Sequence, residues 1–163
     1  MTFEQVKEGL SEFSGIDRRL QIKGKGRDVL VLDDYAHHPN EIRATLSAVK
    51  DSGLGRIVAI FQPHRYTRTR LLFDDFTRAL LNTDVLYLLD IYPAGEEPIE
   101  GVSSKALFES IKESGHKNVF YSNGSGEDIV PTVLKSVKPG DVVITLGAGN
   151  VWMISERIAE EIG

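Results

Sequence analysis

VLVLDDYAHHPNE, Val29–Glu41, changes character at its midpoint. The first half is a continuous apolar run without alternation, the pattern of a strand covered on both faces. The second half holds two acids, a tyrosine and two adjacent histidines, followed by Pro39, a residue suited to the first position of a helix. Beyond it, Ile42, Leu46 and Val49 fall on one helical face. A buried strand that enters a helix through a tip of ionisable side chains is the repeating unit of an α/β sheet.

The same unit recurs towards the C-terminus. RIVAIF (Arg56–Phe61) precedes a helix with Leu72, Phe76 and Leu80; VLYLLD (Val85–Asp90) precedes one with Leu107 and Ile111. The short strand VFY (Val119–Tyr121) precedes a helix around Val130, Val133 and Val137 that is expected to begin near Asp128, with Pro131 in its first turn. DVVITL (Asp141–Leu146) and a helix with Val151, Ile154 and Ile158 complete the series. Towards the N-terminus, RRLQIKGKGRDVLVLDD reads as two strands about a turn at Gly24–Gly26. A short helix stands ahead of them, opened by a Thr2/Gln5 capping box, carrying Phe3, Val6, Leu10 and Phe13, and ended by Gly15. IYPAGEEPIEGVSS (Ile91–Ser104), rich in Pro, Gly and Glu, reads as a surface loop. The predicted fold is a three-layer α/β/α domain with a mainly parallel, doubly wound sheet and an N-terminal antiparallel hairpin at one edge.

Composition bounds the function. The 163 residues suffice for one well-packed core, and 41% apolar with 26% charged residues is a globular balance that excludes disorder and a membrane bundle. No apolar run is long enough to cross a bilayer, and the acidic, amphipathic start resembles neither a signal nor a transit peptide, so a cytoplasmic protein is expected. The absence of cysteine removes disulfides, thiolate nucleophiles and Cys-based zinc sites. A net charge of −5 argues against a nucleic-acid coat protein. The charge is uneven, however: Arg56–Arg70 holds four arginines and His64 with no acid, a candidate anion site.

In a doubly wound sheet ligands gather at the carboxyl ends of the strands, and the chemistry-bearing residues lie there. One strand leads into Asp34, Tyr35, His37 and His38, another into Gln62, His64, Arg65 and Arg68, and a third into GAGN (Gly147–Asn150). Asp34 and His38 suit either a site or the cap of the helix that begins at Pro39. A metal at the adjacent histidines lacks a third ligand at a familiar spacing, so no metal site is assigned. The arginines suit either a solvated face or a carboxylate or phosphate, which the planar guanidinium grips in a fork. GAGN is an incomplete dinucleotide fingerprint and reads first as a tight turn, with an anion held by its backbone N–H groups as the other option. There is no P-loop motif.

DDYAHHPNE and FQPHRYTRTR, both at strand ends, closely resemble the C-terminal domain of the Mur ligases; FSGIDRRL and TLGAGNVW match in order and spacing, so the resemblance spans essentially Met1–Gly163. QPHRYTR is similar to the branch that adds L-alanine to UDP-N-acetylmuramate in peptidoglycan synthesis. The resemblance implies an ATP-dependent amide ligase of three domains, the central one bearing the P-loop and holding Mg2+, in which phosphorylation of the sugar carboxylate precedes attack by the amino acid. It implies that residues 1–20 are the tail of the central domain and linker, and 21–163 a Rossmann-like C-terminal domain. By position, it implies that Arg19, Asp34 and Tyr35 face ATP, that His37 and His64 are catalytic, and that His38, Arg65 and Arg68 bind substrate. Partners implied are UDP-N-acetylmuramate, L-alanine and the other two domains, with neither nucleic acid nor membrane. Lacking the P-loop lysine and the magnesium ligands, the chain alone is expected not to ligate. Two other readings fit the same residues: a stand-alone anion- or nucleotide-binding module, and a phosphohydrolase using His37, His38 and His64 as acid and base.

Overall fold

The computed structural model describes residues 16–123 and 129–163, together with Thr2 and Lys7. Apart from Thr2 and Lys7, the helix expected over Thr2–Phe13 lies outside the described residues, as does Asp128.

The described residues form a six-stranded sheet with helices on both faces. Their elements are β1 (Gln21–Gly26), β2 (Val29–Asp34), α1 (Pro39–Asp51), β3 (Ile57–Phe61), α2 (Tyr66–Leu71), α3 (Phe73–Leu80), β4 (Val85–Leu89), α4 (Ser104–Glu113), β5 (Val119–Ser122), α5 (Val130–Ser136), β6 (Val142–Leu146) and α6 (Trp152–Ile162). The strand order is β1-β2-β6-β3-β4-β5. β1 and β2 pair antiparallel and every other pair is parallel. The expected architecture is therefore observed, with the hairpin at one edge.

Continuous apolar strands arise because successive side chains feed two separate cores. Leu32, Ala59, Phe61, Leu86, Leu88 and Ile144 pack with Ile42, Leu46, Phe76, Leu80, Leu107 and Ile111 of α1, α3 and α4. Their strand neighbours Val31, Val58, Ile60, Leu89 and Val143 pack on the opposite face with Val130, Val133, Ile154 and Ile158 of α5 and α6. This division also places the site. β6 lies between β2 and β3, yet the helices that follow β2 and β3 go to one face while the helix that follows β6 goes to the other. The connections part at the carboxyl ends of these three strands and open a crevice there.

Three details correct the sequence reading. The hairpin turn is not Gly24–Gly26 but Arg27–Asp28, both left-handed at φ 50° and 59°, a two-residue connection whose twist matches its strands. Gly24 and Gly26 sit inside β1 because α6 lies directly on it: a Cβ on Gly24 would stand 2.7 Å from Ala159 Cβ, and one on Gly26 2.1 Å from the Ile162 carbonyl oxygen. The single helix expected around Leu72–Leu80 breaks at Leu72 (φ −117°, ψ 23°) into α2 and α3. The break lets α3 bury Phe76 and Leu80 while α2 stays at the strand tips. Finally, the loop after β4 is not wholly a surface excursion. Tyr92 N–H donates to the Pro63 carbonyl and Arg65 N–H to the Tyr92 carbonyl, both at 2.8 Å, so this loop lies along the one after β3.

Candidate functional site at the carboxyl ends of the sheet

Four strand tips and the segment that enters β1 build the crevice. At the β2 tip, Asp33 and Asp34 are buried and turned inward. Asp34 accepts hydrogen bonds from Leu20 N–H and Ala36 N–H at 2.8 Å and from the Thr45 hydroxyl at 3.3 Å. Its carboxylate thus organises the loop behind the site. Asp33 accepts from the Thr145 hydroxyl at 2.6 Å and from Arg18 Nε at 2.9 Å. Tyr35, the next residue, is 38% exposed and opens towards the crevice.

The two neighbouring histidines part company. His38 caps α1: its Nδ1 accepts from Asn40 N–H at 3.3 Å, while Glu41 accepts from the N–H groups of His37 and His38 at 3.0 and 3.1 Å. Burial pushes the Glu41 carboxyl up, but those N–H groups and the charges of His37 and Arg19 outweigh it, and the carboxyl is held below its ordinary value. His37 turns the other way. Its Nδ1 lies 2.9 Å from the Tyr35 carbonyl, which can only accept, so Nδ1 carries a proton and, in the neutral ring, Nε2 has the lone pair. The ring stands edge-on to Tyr35 at 5.1 Å and 5.9 Å from the ring of His64, centroid to centroid.

At the β3 tip, His64 stacks on Tyr92 at 5.5 Å with the planes 9° apart, and its Nδ1 lies 3.3 Å from Arg68 Nη1. A guanidinium only donates, so Nδ1 accepts and the neutral ring carries its proton on Nε2. Burial, then the charges of Arg68, His37 and Arg65, lower the His64 pKa from 6.5 to about 4. It is neutral at physiological pH. The two facing histidines therefore have opposite tautomers: His37 presents an acceptor and His64 a donor. Arg65 is left-handed at φ 74° and starts α2, with Arg65 exposed and Arg68 half-buried on His64. The structure brings together His37, His64, Arg65 and Arg68, with Tyr35 alongside; His38 and Asp34 stand apart, tied to α1 and its loop.

Arg19 is exposed and close enough to Glu41 to influence its carboxyl. Its neighbour Arg18 is the one that is anchored. The Arg18 guanidinium donates to Asp33 and to the Gly147 and Gly149 carbonyls and lies 4.9 Å over the Tyr35 ring. Sequence reading missed Arg18, Asp33 and Tyr92. The Asp33–Asp34 doublet was the available signal for the first pair: one acid per strand face leaves Asp33 in need of a cation. Tyr92 carried none, lying in a loop that pattern alone consigns to the surface.

The GAGN turn is a packing device, as its first reading held. A Cβ on Gly147 would stand 2.8 Å from the Gln62 carbonyl oxygen, and one on Gly149 2.4 Å from Gln62 Oε1 and 2.8 Å from the Tyr92 ring. Gln62 Nε2 donates to Asn150 Oδ1 at 3.0 Å, which locks the β3 and β6 tips together. Among the described residues no group of three or more His, Asp or Glu side chains is placed to hold a metal ion. Nor does any described helix have the length and apolarity to cross a membrane.

Comparison with known proteins follows the same residues. A UDP-N-acetylmuramate–L-alanine ligase from Geotalea uraniireducens is 49% identical over 160 residues, 98% of this chain and 35% of its own length. One from Desulfatibacillum aliphaticivorans is 51% identical over 155 residues, 94% of this chain and 34% of its own. The chain thus spans about a third of the length of the curated relatives it matches. The crystal structure of UDP-N-acetylmuramate-alanine ligase from Thermotoga maritima superposes with a TM-score of 0.73 at 29% identity, covering 99% of this chain and 33% of that one. The sequence profile of the Mur ligase glutamate ligase domain matches residues 18–149, from the arginine anchored beneath Tyr35 to the glycine under Tyr92, and on that match the chain belongs to this domain family.

Proposed function

We propose that this chain is the C-terminal domain of an ATP-dependent ligase that joins L-alanine to UDP-N-acetylmuramate in the cytoplasm, with residues 1–20 continuing from a central domain and 21–163 forming the closing wall of the site. The observation that carries this is the meeting of HRYTR from β3 with His37 from β2 at the crevice, in a chain whose relatives at about 49% identity bear the name of that ligase. Arg65 and Arg68, three residues apart across the first turn of α2, suit the fork that a free amino-acid carboxylate requires. His37 Nε2 is the lone pair available to take a proton from the incoming amine. The His64 Nε2–H is a donor for charge developing at the acyl centre, and a neutral ring there avoids trapping the ground-state anion. His38, its Nδ1 committed to α1, offers Nε2 to the sugar substrate.

ATP supplies the phosphoryl group that activates the sugar carboxylate. An exposed cation at Arg19 beside an open aromatic face at Tyr35 is a fitting donor set for phosphate and base, with Asp34 bracing the loop between them. Magnesium we assign to the central domain. Such a site is complete only when the domains close over it. The full-length polypeptide that carries this domain should turn ATP over repeatedly to ADP only when UDP-N-acetylmuramate and L-alanine are both present, because omitting L-alanine stops the cycle at the acyl phosphate. Turnover with either substrate omitted, or none with both, would refute the reading.

A further inference from the structure

The contacts at the strand tips close into a ring. Arg18 lies over Tyr35 at 4.9 Å, Tyr35 meets His37 edge-on at 5.1 Å, His37 faces His64 at 5.9 Å, and His64 stacks on Tyr92 at 5.5 Å. Tyr92 in turn covers Gly149 so closely that a Cβ there would stand 2.8 Å from its ring, and the Gly149 carbonyl accepts from Arg18 Nη1 at 3.3 Å. The circuit runs through β2, β3, β4 and β6 and returns to its start. Arg18 joins the two ends of the circuit, Tyr35 and the Gly149 carbonyl.

Several features hold Arg18 where it is. Its guanidinium is committed to Asp33, itself fully buried and fixed by Thr145, and to two carbonyls of the glycine turn. Its own backbone is left-handed at φ 58°, and Leu20 follows at φ 45°. Non-glycine residues adopt such angles at a cost and keep them when the surroundings over-determine the segment. Here Gln21 Oε1 accepts from Arg18 N–H at 3.1 Å, the Arg18 carbonyl accepts from Tyr35 N–H at 2.7 Å, and Asp34 accepts from Leu20 N–H. Arg19 is the exposed neighbour, and the side chain that closes the ring is that of Arg18.

We infer that Arg18 is a positioning residue for the facing pair His37 and His64, acting through Tyr35 on one side and through Gly149 and Tyr92 on the other. The inference rests on the ligase reading only for its kinetic consequence. Losing the grip frees the two imidazoles from the geometry in which one presents a lone pair and the other a proton. A misplacement of about 1 Å at reacting groups costs roughly 100-fold in rate. Lysine cannot substitute: it keeps the charge but lacks the planar fork that bonds Asp33 and two carbonyls while its carbon lies over a ring.

Two measurements test this. In the 163-residue chain, Arg18→Lys, Arg18→Gln and wild type are compared by NMR of the histidine rings, with thermal unfolding to confirm that each is folded. His37 and His64 ring signals should shift, whereas those of His116, buried against Thr83 far from the crevice, should not. Unmoved His37 and His64 signals overturn the inference whatever the full-length protein does. In the full-length protein, Arg18→Lys should lower kcat by about 10- to 100-fold and leave KM for ATP and L-alanine within about twofold. A raised KM for ATP at unchanged kcat would make Arg18 a nucleotide contact instead. Absence of ligation by the wild type would sink the ligase reading and leave the NMR result to decide the positioning role.

Discussion

His64 illustrates what one buried residue does for both stability and chemistry. Its ring is neutral because burial and the neighbouring guanidinium groups of Arg68 and Arg65, joined by His37 when that ring is protonated, disfavour a further positive charge, which lowers its pKa to about 4. An unfolded chain would protonate the same ring near its ordinary value of 6.5. The unfolded state therefore binds more protons between these values, so stability is fully present above about pH 6.5 and declines as the pH falls towards 4. His116, lowered by burial against the opposing pull of the Thr83 carbonyl, acts in the same direction. Thermal unfolding followed from neutral pH to about 4 should show a falling midpoint, and His64→Asn should flatten that fall; an unchanged slope would contradict the assignment. At this scale the sequence was partly readable. His37, His64, Arg65 and Arg68 stood out as polar groups following apolar strands. His38 as the cap of α1 was one of two readings the sequence offered, and the structure shows the cap; that His37 would turn to the crevice was not readable, because adjacent residues diverge and only the packed loop decides which points where.

The elements were legible where periodicity was unmixed and obscure where packing overrode it. α1 forms on Ile42, Leu46 and Val49, all buried as the spacing requires. The Gly-Lys-Gly stretch misled, since glycine marks a turn in isolation but marks a close approach when a helix lies on a strand. α6 rests on β1 at Gly24, where an added Cβ would meet that of Ala159 at 2.7 Å. Gly24→Ala should therefore destabilise the domain by about 1–3 kcal/mol, a loss of roughly 3–10 °C in the unfolding midpoint. Gly24→Ala combined with Ala159→Gly should lose clearly less than the sum of the single effects, because the second change removes the atom struck by the first. Additive losses would show that the helix does not press on the strand at this point. The break at Leu72 is the counterpart among helices. Its Leu and Phe spacing continues through the kink, so nothing in the pattern announces that α2 must stay at the crevice while α3 turns into the core.

As a whole, the molecule presents a preformed wall with its cations and histidines towards an open crevice and its two cores behind. On the proposed reading, Arg65 and Arg68 are its carboxylate fork, His37 and His64 its acceptor and donor, and Arg19 with Tyr35 its nucleotide edge, while phosphoryl activation belongs to the other domains. The 163-residue chain alone should therefore neither ligate nor turn over ATP; turnover above a no-protein control would contradict the domain reading. The division of labour between the two arginine groups is the sharpest consequence. In the full-length protein, each substrate is varied in turn at saturating levels of the others. Removing one charge-assisted contact costs about 1.5–3 kcal/mol, or roughly 10- to 100-fold in affinity. Arg68→Ala is expected to raise KM for L-alanine by about that factor while KM for ATP moves little, and Arg19→Ala to do the reverse. The account would be contradicted by an Arg68→Ala enzyme whose dependence on L-alanine is that of the wild type while its KM for ATP has risen.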